Sequence, residues 1–156
     1  MENILISACL LGVQCRYDGE SKPIMPIVAL MDRYHLVPVC PEQLGGLPTP
    51  REPSERRGEA VVSKTGADVT DAFARGAAQA LHLARLYGCK AAVLKERSPS
   101  CGHDMIYDGT FSGRLTAGDG VTAALLRQNG IAVYGESEID ALLAQPPADD
   151  AEPSLF

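Results

Sequence analysis

Three of the five cysteines in this 156-residue chain share one kind of position. Cys9 in SACLLG, Cys40 in VCPE and Cys101 in SPSCG each follow a short apolar run that reads as a strand giving way to a loop. A parallel sheet built from those runs brings the three thiols to one edge. Soft thiolates select iron–sulfur clusters, zinc or monovalent copper, and the long spacings here are unlike the compact pairs of a structural zinc knuckle. Ferredoxin-type clusters take four thiolates, usually from short Cys-x-x-Cys runs. Three scattered thiolates leave one metal position open, which suits Lewis-acid catalysis. Cys15 lies in the same exit loop as Cys9 and is the rival fourth ligand; a closed four-thiolate site would argue for electron transfer. Spacing alone leaves both open.

The groups such catalysis needs lie close by. Glu42 follows Cys40 by two residues, and Ser98 and Ser100 flank Pro99 just before Cys101. A carboxylate can take a proton from water and a hydroxyl can hold that water, so Glu42 is the general-base candidate and Ser98 and Ser100 are both candidate hydroxyls. Taken singly, Glu42 reads as a solvated cap and the serines as turn formers beside proline. Adjacency to candidate ligands raises them. Cys89 precedes a strand, falls at the opposite sheet edge and reads as a small buried hydrophobe. His35 and His82 sit away from the strand exits, while His103 stays in reach of them. The segments RYDG, YDGTFSGRL and GDG are glycine turns, or backbone amides that could meet an anion or a polar base edge at a helix start.

The elements that must position these residues follow from hydrophobic pattern. Strands are expected at Asn3–Ser7, Leu36–Val39 and Ala91–Lys95, and over IAVY (131–134). A short amphipathic helix is expected to open at Ser21 with Lys22-Pro23. Alanine and leucine recur at helical spacing over Thr70–Tyr87, with Thr70 as cap and Gly88 as stop. VTAALLRQN before Gly130, and Ser137–Leu143, complete the helices. QLGGLPTPREPSERRGEA reads as irregular loop, Lys64-Thr65-Gly66 as a small hairpin turn between Ala60–Ser63 and Val69, and residues 96–120 as one long loop. The alternation implies an α/β, Rossmann-like three-layer fold with a mostly parallel sheet and helices on both faces, its site outside the carboxyl ends of the strands.

With 46% hydrophobic residues the chain can bury one sizeable core, so residues 1–145 are expected to form a single α/β iron–sulfur domain and 146–156 a flexible tail. The formal net charge of −6, with basic residues scattered, points to a small-molecule substrate and away from stable nucleic-acid binding. Neither a membrane span nor a signal peptide is legible, which suggests the cytoplasm, where cysteines serve metals more often than disulfides. Monomer and homodimer are both compatible with the sequence.

Several long motifs in order, ISACLLG, CRYDG, PVCPEQLGGLPTPR, VLKERSPSCG and YDGTFSGRLTAGDGVTAALL, resemble those of a family of small bacterial proteins, the thiouracil desulfurases. The resemblance covers most of the chain. It implies a 4Fe-4S cluster held by Cys9, Cys40 and Cys101 with one open iron, and catalytic Glu42 and Ser98. Cys15 matches a position that can hold valine in that family, which favours a role other than ligand. The implied reaction is non-redox: the open iron takes the thiocarbonyl sulfur of 2- or 4-thiouracil, and water activated by Glu42 and steered by Ser98 attacks the neighbouring ring carbon, giving uracil and hydrosulfide. Two other readings compete. A zinc-dependent nucleobase hydrolase would need the His-x-Glu and Pro-Cys-x-x-Cys pattern, which is missing. A non-enzymatic iron–sulfur or sulfur-carrier protein would use Cys15 to close the cluster.

Overall fold

Successive residues of the Ile4-Leu5-Ile6 run meet opposite helical layers, and the architecture follows from that alternation. The computed structural model describes residues 1–146; the expected tail beyond residue 146 lies outside the described residues. Strands β1 (Glu2–Ser7), β2 (Tyr34–Val39), β5 (Ala91–Leu94) and β8 (Ala132–Gly135) form a four-stranded sheet in the order β2-β1-β5-β8. All three of its pairings are parallel. Leu5, Ala92 and Leu94 pack with Ala80, Leu81 and Ala84 of α3 (Thr70–Leu86) and with Ala123 and Leu126 of α4 (Val121–Gln128). Ile4, Ile6 and Val93 face the other way, onto Leu30 of α1 (Ile27–Met31) and Ile139 and Leu142 of α5 (Ile139–Leu143). Each fully buried aliphatic side chain contributes about 1.5–3 kcal/mol. The α/β three-layer expectation holds.

The chain leaves β1 toward β2 on one side, then crosses back to β5 on the other. The strand order therefore reverses between β1 and β5, and a crevice opens at their carboxyl ends. Strand β2 is an edge, which is why Pro38 is accepted within it, paired opposite Ile6 and exposed.

Local expectations need four corrections. The first helix begins at Ile27 rather than Ser21, because the Lys22 and Ile24 amides donate to the Cys9 and Leu10 carbonyls and hold that stretch extended. Thr70 does not cap α3: its hydroxyl accepts the Val61 amide, while Asp68 takes the Thr70 amide. Gly88 does follow the helix, with φ +64. The loop after Cys40 holds a short helix, α2 (Pro41–Leu44), and a strand, β3 (Ser54–Arg57). The hairpin expected about Lys64-Thr65-Gly66 is present, with Val62 bridged antiparallel to Asp68 and the Ser63 and Val69 amides donating to the Ala67 and Val61 carbonyls, and β4 (Ala60–Ser63) also pairs with β3 across a turn at Gly58. Residues 96–120 contain a second hairpin, β6 (Met105–Tyr107) with β7 (Leu115–Ala117).

Helices α2 and α3 meet backbone to backbone. A Cβ on Gly45 would lie 2.0 Å from the Ala72 carbonyl oxygen, and one on Gly76 would lie 1.8 Å from that of Pro41. Glycine at both positions lets α2 sit directly on α3 and fixes the path of the chain after Cys40.

Candidate active site

Each carboxyl end of β1, β2 and β5 delivers one of the expected cysteines. Cys9 lies in the single 3-10 turn Ala8–Leu11 after β1, Cys40 caps α2 directly after β2, and Cys101 sits in a tight turn after β5. All three line a cavity of about 460 Å³, together with Cys15, Glu42 and Ser98. Cys89 is buried in the core between α3 and β5, away from this cavity.

Proximity of the thiols is visible in how they affect one another. Cys40 is pushed far above the ordinary thiol range, first by its hydrogen bond with the Cys15 thiol and then by burial. At Cys15 the contact with Cys40 lowers the pKa, but the hydrogen bond with Cys9 and burial outweigh it and the thiol is raised. Burial pushes Cys101 up to about 12, against a hydrogen bond from Ser7, and the charges of Glu42 and Cys40 push the same way as burial. Four thiols lining one cavity form a soft donor set, which suits an iron–sulfur core that draws thiolate ligands. Among the described residues no three His, Cys, Asp or Glu side chains converge on a single ion. A four-iron cube is larger and gives each thiolate its own iron, so the spread of Cys9, Cys40 and Cys101 fits it better than it fits one zinc.

Glu42 stands in the first turn of α2 on the cavity wall. Its Oε1 accepts from Arg51 Nε at 3.1 Å, and the arginine side chain is only 6% exposed. The remaining donors of Arg51 reach the Pro48 carbonyl, the Thr49 hydroxyl and the Cys15 carbonyl at 3.1, 2.9 and 2.9 Å. That same Cys15 carbonyl accepts from Cys40 Sγ at 3.5 Å. One buried guanidinium thus ties the candidate base to the loop behind two of the cysteines.

Ser98 builds the Cys101 turn. Its Oγ accepts the Ser100 and Cys101 amides at 3.1 and 3.0 Å, and its carbonyl accepts the Gly102 amide. Both oxygen lone pairs are engaged, so the hydroxyl can act toward the cavity only as a donor. Ser100 faces away, its hydroxyl bonded to Thr122 at 2.8 Å in the core. The amides at the start of α4 are taken by the Pro99 and Ser100 carbonyls, so this helix start is no anion site. His103 turns outward to Glu138, Asp104 and Arg127 and does not line the cavity.

Among the charged wall residues that sequence reasoning does not single out are Arg51 and Lys95. Arg51 closes the PTPR motif, and the contact with Glu42 that marks it forms only on folding. Lys95 ends the β5 run, and its ion-pair partner Glu136 stands beyond β8, on the far side of a hairpin, a helix and a strand. No short-range signal joins them.

The 2-thiouracil desulfurase family matches residues 4–138 of the chain. A relative described as the uncharacterized protein YbbK of Bacillus subtilis (strain 168) is 45% identical over 150 residues, covering 90% of this chain and 99% of its own. A solved structure described as the 4Fe-4S-dependent thiouracil desulfidase TudS superposes with a TM-score of 0.88 at 51% identity, covering 91% of this chain and 95% of that one.

Proposed function

The chain belongs to the 2-thiouracil desulfurase family, and from that premise we propose how its own residues perform the chemistry. The protein is a 4Fe-4S-dependent thiouracil desulfurase that converts thiouracil and water to uracil and hydrosulfide, with no net electron transfer. Cys9, Cys40 and Cys101 would hold the cluster through three thiolates. When bound, it would supply a soft Lewis acid, which favours thiocarbonyl sulfur over carbonyl oxygen.

Around it the protein positions water. Arg51 holds Glu42 by Oε1 alone, leaving Oε2 without a protein partner among the described residues. Glu42 takes a proton of a water in the cavity as that water's oxygen forms its bond to the thiocarbonyl carbon; the carbon–sulfur bond then breaks, sulfur leaves as hydrosulfide, and loss of the second water proton leaves the carbonyl of uracil. The Ser98 hydroxyl, committed as an acceptor to its own turn, donates its hydrogen to hold that water in place. Tyr17, Pro53, Pro99 and Tyr107 form the wall that receives the flat ring.

The observation that carries this reading is the convergence of three strand-end thiols, one arginine-held carboxylate and one hydroxyl on a single cavity. Anaerobic reconstitution with iron and sulfide, followed by assay of sulfide and uracil release from 2- and 4-thiouracil, tests it. Iron-loaded protein that releases neither product would overturn it. The contact of Cys15 with Cys9 and Cys40 favours one other reading, a closed four-thiolate carrier. Cys15→Val keeps iron and turnover in a desulfurase and loses the cluster in the carrier.

The reaction belongs in the cytoplasm, a reading supported by five cysteines that are all free. Among the described residues no helix is long and apolar enough to cross a membrane. The net charge of −6 favours a small thiopyrimidine over nucleic acid as the partner.

A further inference from the structure

Lys95 closes β5 at the point where the strand order reverses, and it lines the same cavity as Glu42 and the cysteines. Its position is fixed at both ends. The backbone amide donates to the buried Ser7 hydroxyl at 2.9 Å, which ties it to the exit of β1. The ammonium lies 2.8 Å from Glu136 Oε2 and donates to the Glu96 carbonyl at 3.1 Å. Glu136 is itself held, because its other oxygen accepts the Glu96 amide and the neighbouring Ser137 amide donates to the Glu96 carboxylate. An ammonium has three donors, and the third has no protein partner among the described residues. Lys95 is 21% exposed at its side chain, so this donor sits in a partly water-excluded wall where a charge-assisted hydrogen bond is worth more than in bulk water.

We propose that Lys95 is a substrate-binding residue whose free ammonium hydrogen is donated to the one carbonyl oxygen of the thiouracil ring, with Glu136 as its positioning residue. The assignment rests on the desulfurase reading and adds a specificity to it. Lys95 distinguishes rings that carry a carbonyl across N3 from the thiocarbonyl from rings that do not. A partly buried donor built to meet a substrate oxygen discriminates against an analogue lacking it, because the donor then loses that partner in a wall that water reaches only in part.

The test compares 2-thiouracil with pyrimidine-2-thione, and 4-thiouracil with pyrimidine-4-thione, on reconstituted wild-type, Lys95→Met and Glu136→Gln protein. Wild type is expected to favour each thiouracil over its thione about ten- to a hundredfold in kcat/KM, the range for one charge-assisted hydrogen bond. Lys95→Met should abolish most of that preference by losing activity toward the thiouracils alone, with iron content and visible absorption unchanged, and calorimetric titration should register weaker uracil binding. Glu136→Gln should reduce the preference part of the way, and it serves as the readout if Lys95→Met fails to hold iron. A preference that survives in both variants, or equal losses on both members of each pair, would overturn the role of Lys95. Wild-type protein that releases sulfide from no thiouracil would overturn the desulfurase reading and this inference with it.

Discussion

At the cavity wall, Glu42 and Ser98 are the groups proposed to move and hold a water, and neither contributes a sulfur. Glu42→Gln and Ser98→Ala are therefore expected to keep iron and to lose about 10²- to 10⁴-fold in kcat, measured as sulfide release at matched iron content. Cys101→Ala should instead lose the cluster, seen as loss of visible absorption and of iron per chain. Cys89 offers a separate check on the core. Burial raises its pKa from about 9 to about 11. The unfolded thiol then ionises first, so this stabilisation is complete below pH 9 and is lost as pH rises toward 11. Cys89→Val should flatten the fall in Tm between those values by a few degrees, read from melts across that range. Cysteine, glutamate and serine were legible at this scale because each stands beside a strand exit. Arg51 and Lys95 were not, because what makes them important is a partner that only folding brings near.

Among the elements, the contact between α2 and α3 controls where Glu42 points. Gly76→Ala forces a methyl against the Pro41 carbonyl, and overpacking of this kind costs about 1–3 kcal/mol or more. It should lower both Tm and kcat. Gly130→Ala, at φ +79 with open space around it, should cost about 1 kcal/mol of stability and leave kcat unchanged. Melting curves set beside sulfide-release assays of the two variants separate a shifted site from a merely less stable chain. The sheet strands could be read from the sequence because parallel strands covered on both faces are continuous apolar runs. The hairpins could not. Ser54–Arg57 carries only polar and charged side chains, yet it buries Glu55, whose Oε1 accepts the Gly109 and Phe111 amides at 2.9 and 3.1 Å. That purpose is invisible until both hairpins are in place. The early helix was misplaced because two prolines favour a helix start while extended hydrogen bonding to the Cys9 turn holds the chain open.

For the molecule as a whole, the scaffold stands without its inorganic centre. Two apolar clusters, one on each side of the sheet, fix the strands that carry Cys9, Cys40 and Cys101. Iron removal by a chelator should leave the far-ultraviolet circular dichroism and a cooperative melt intact, unlike small zinc domains that unfold with loss of metal. Loss of both on chelation would mean that the cluster, rather than the core, sets the fold.

The edge position of Pro38 bears on association between copies of the chain. An exposed strand is a template on which a second chain can align, and β2 borders the sheet. Proline removes one amide near the carboxyl end of that border, so an incoming strand brings a carbonyl that finds no donor there. The ring that breaks this ladder opposes strand pairing between copies, and Pro38→Val should make the protein prone to aggregate.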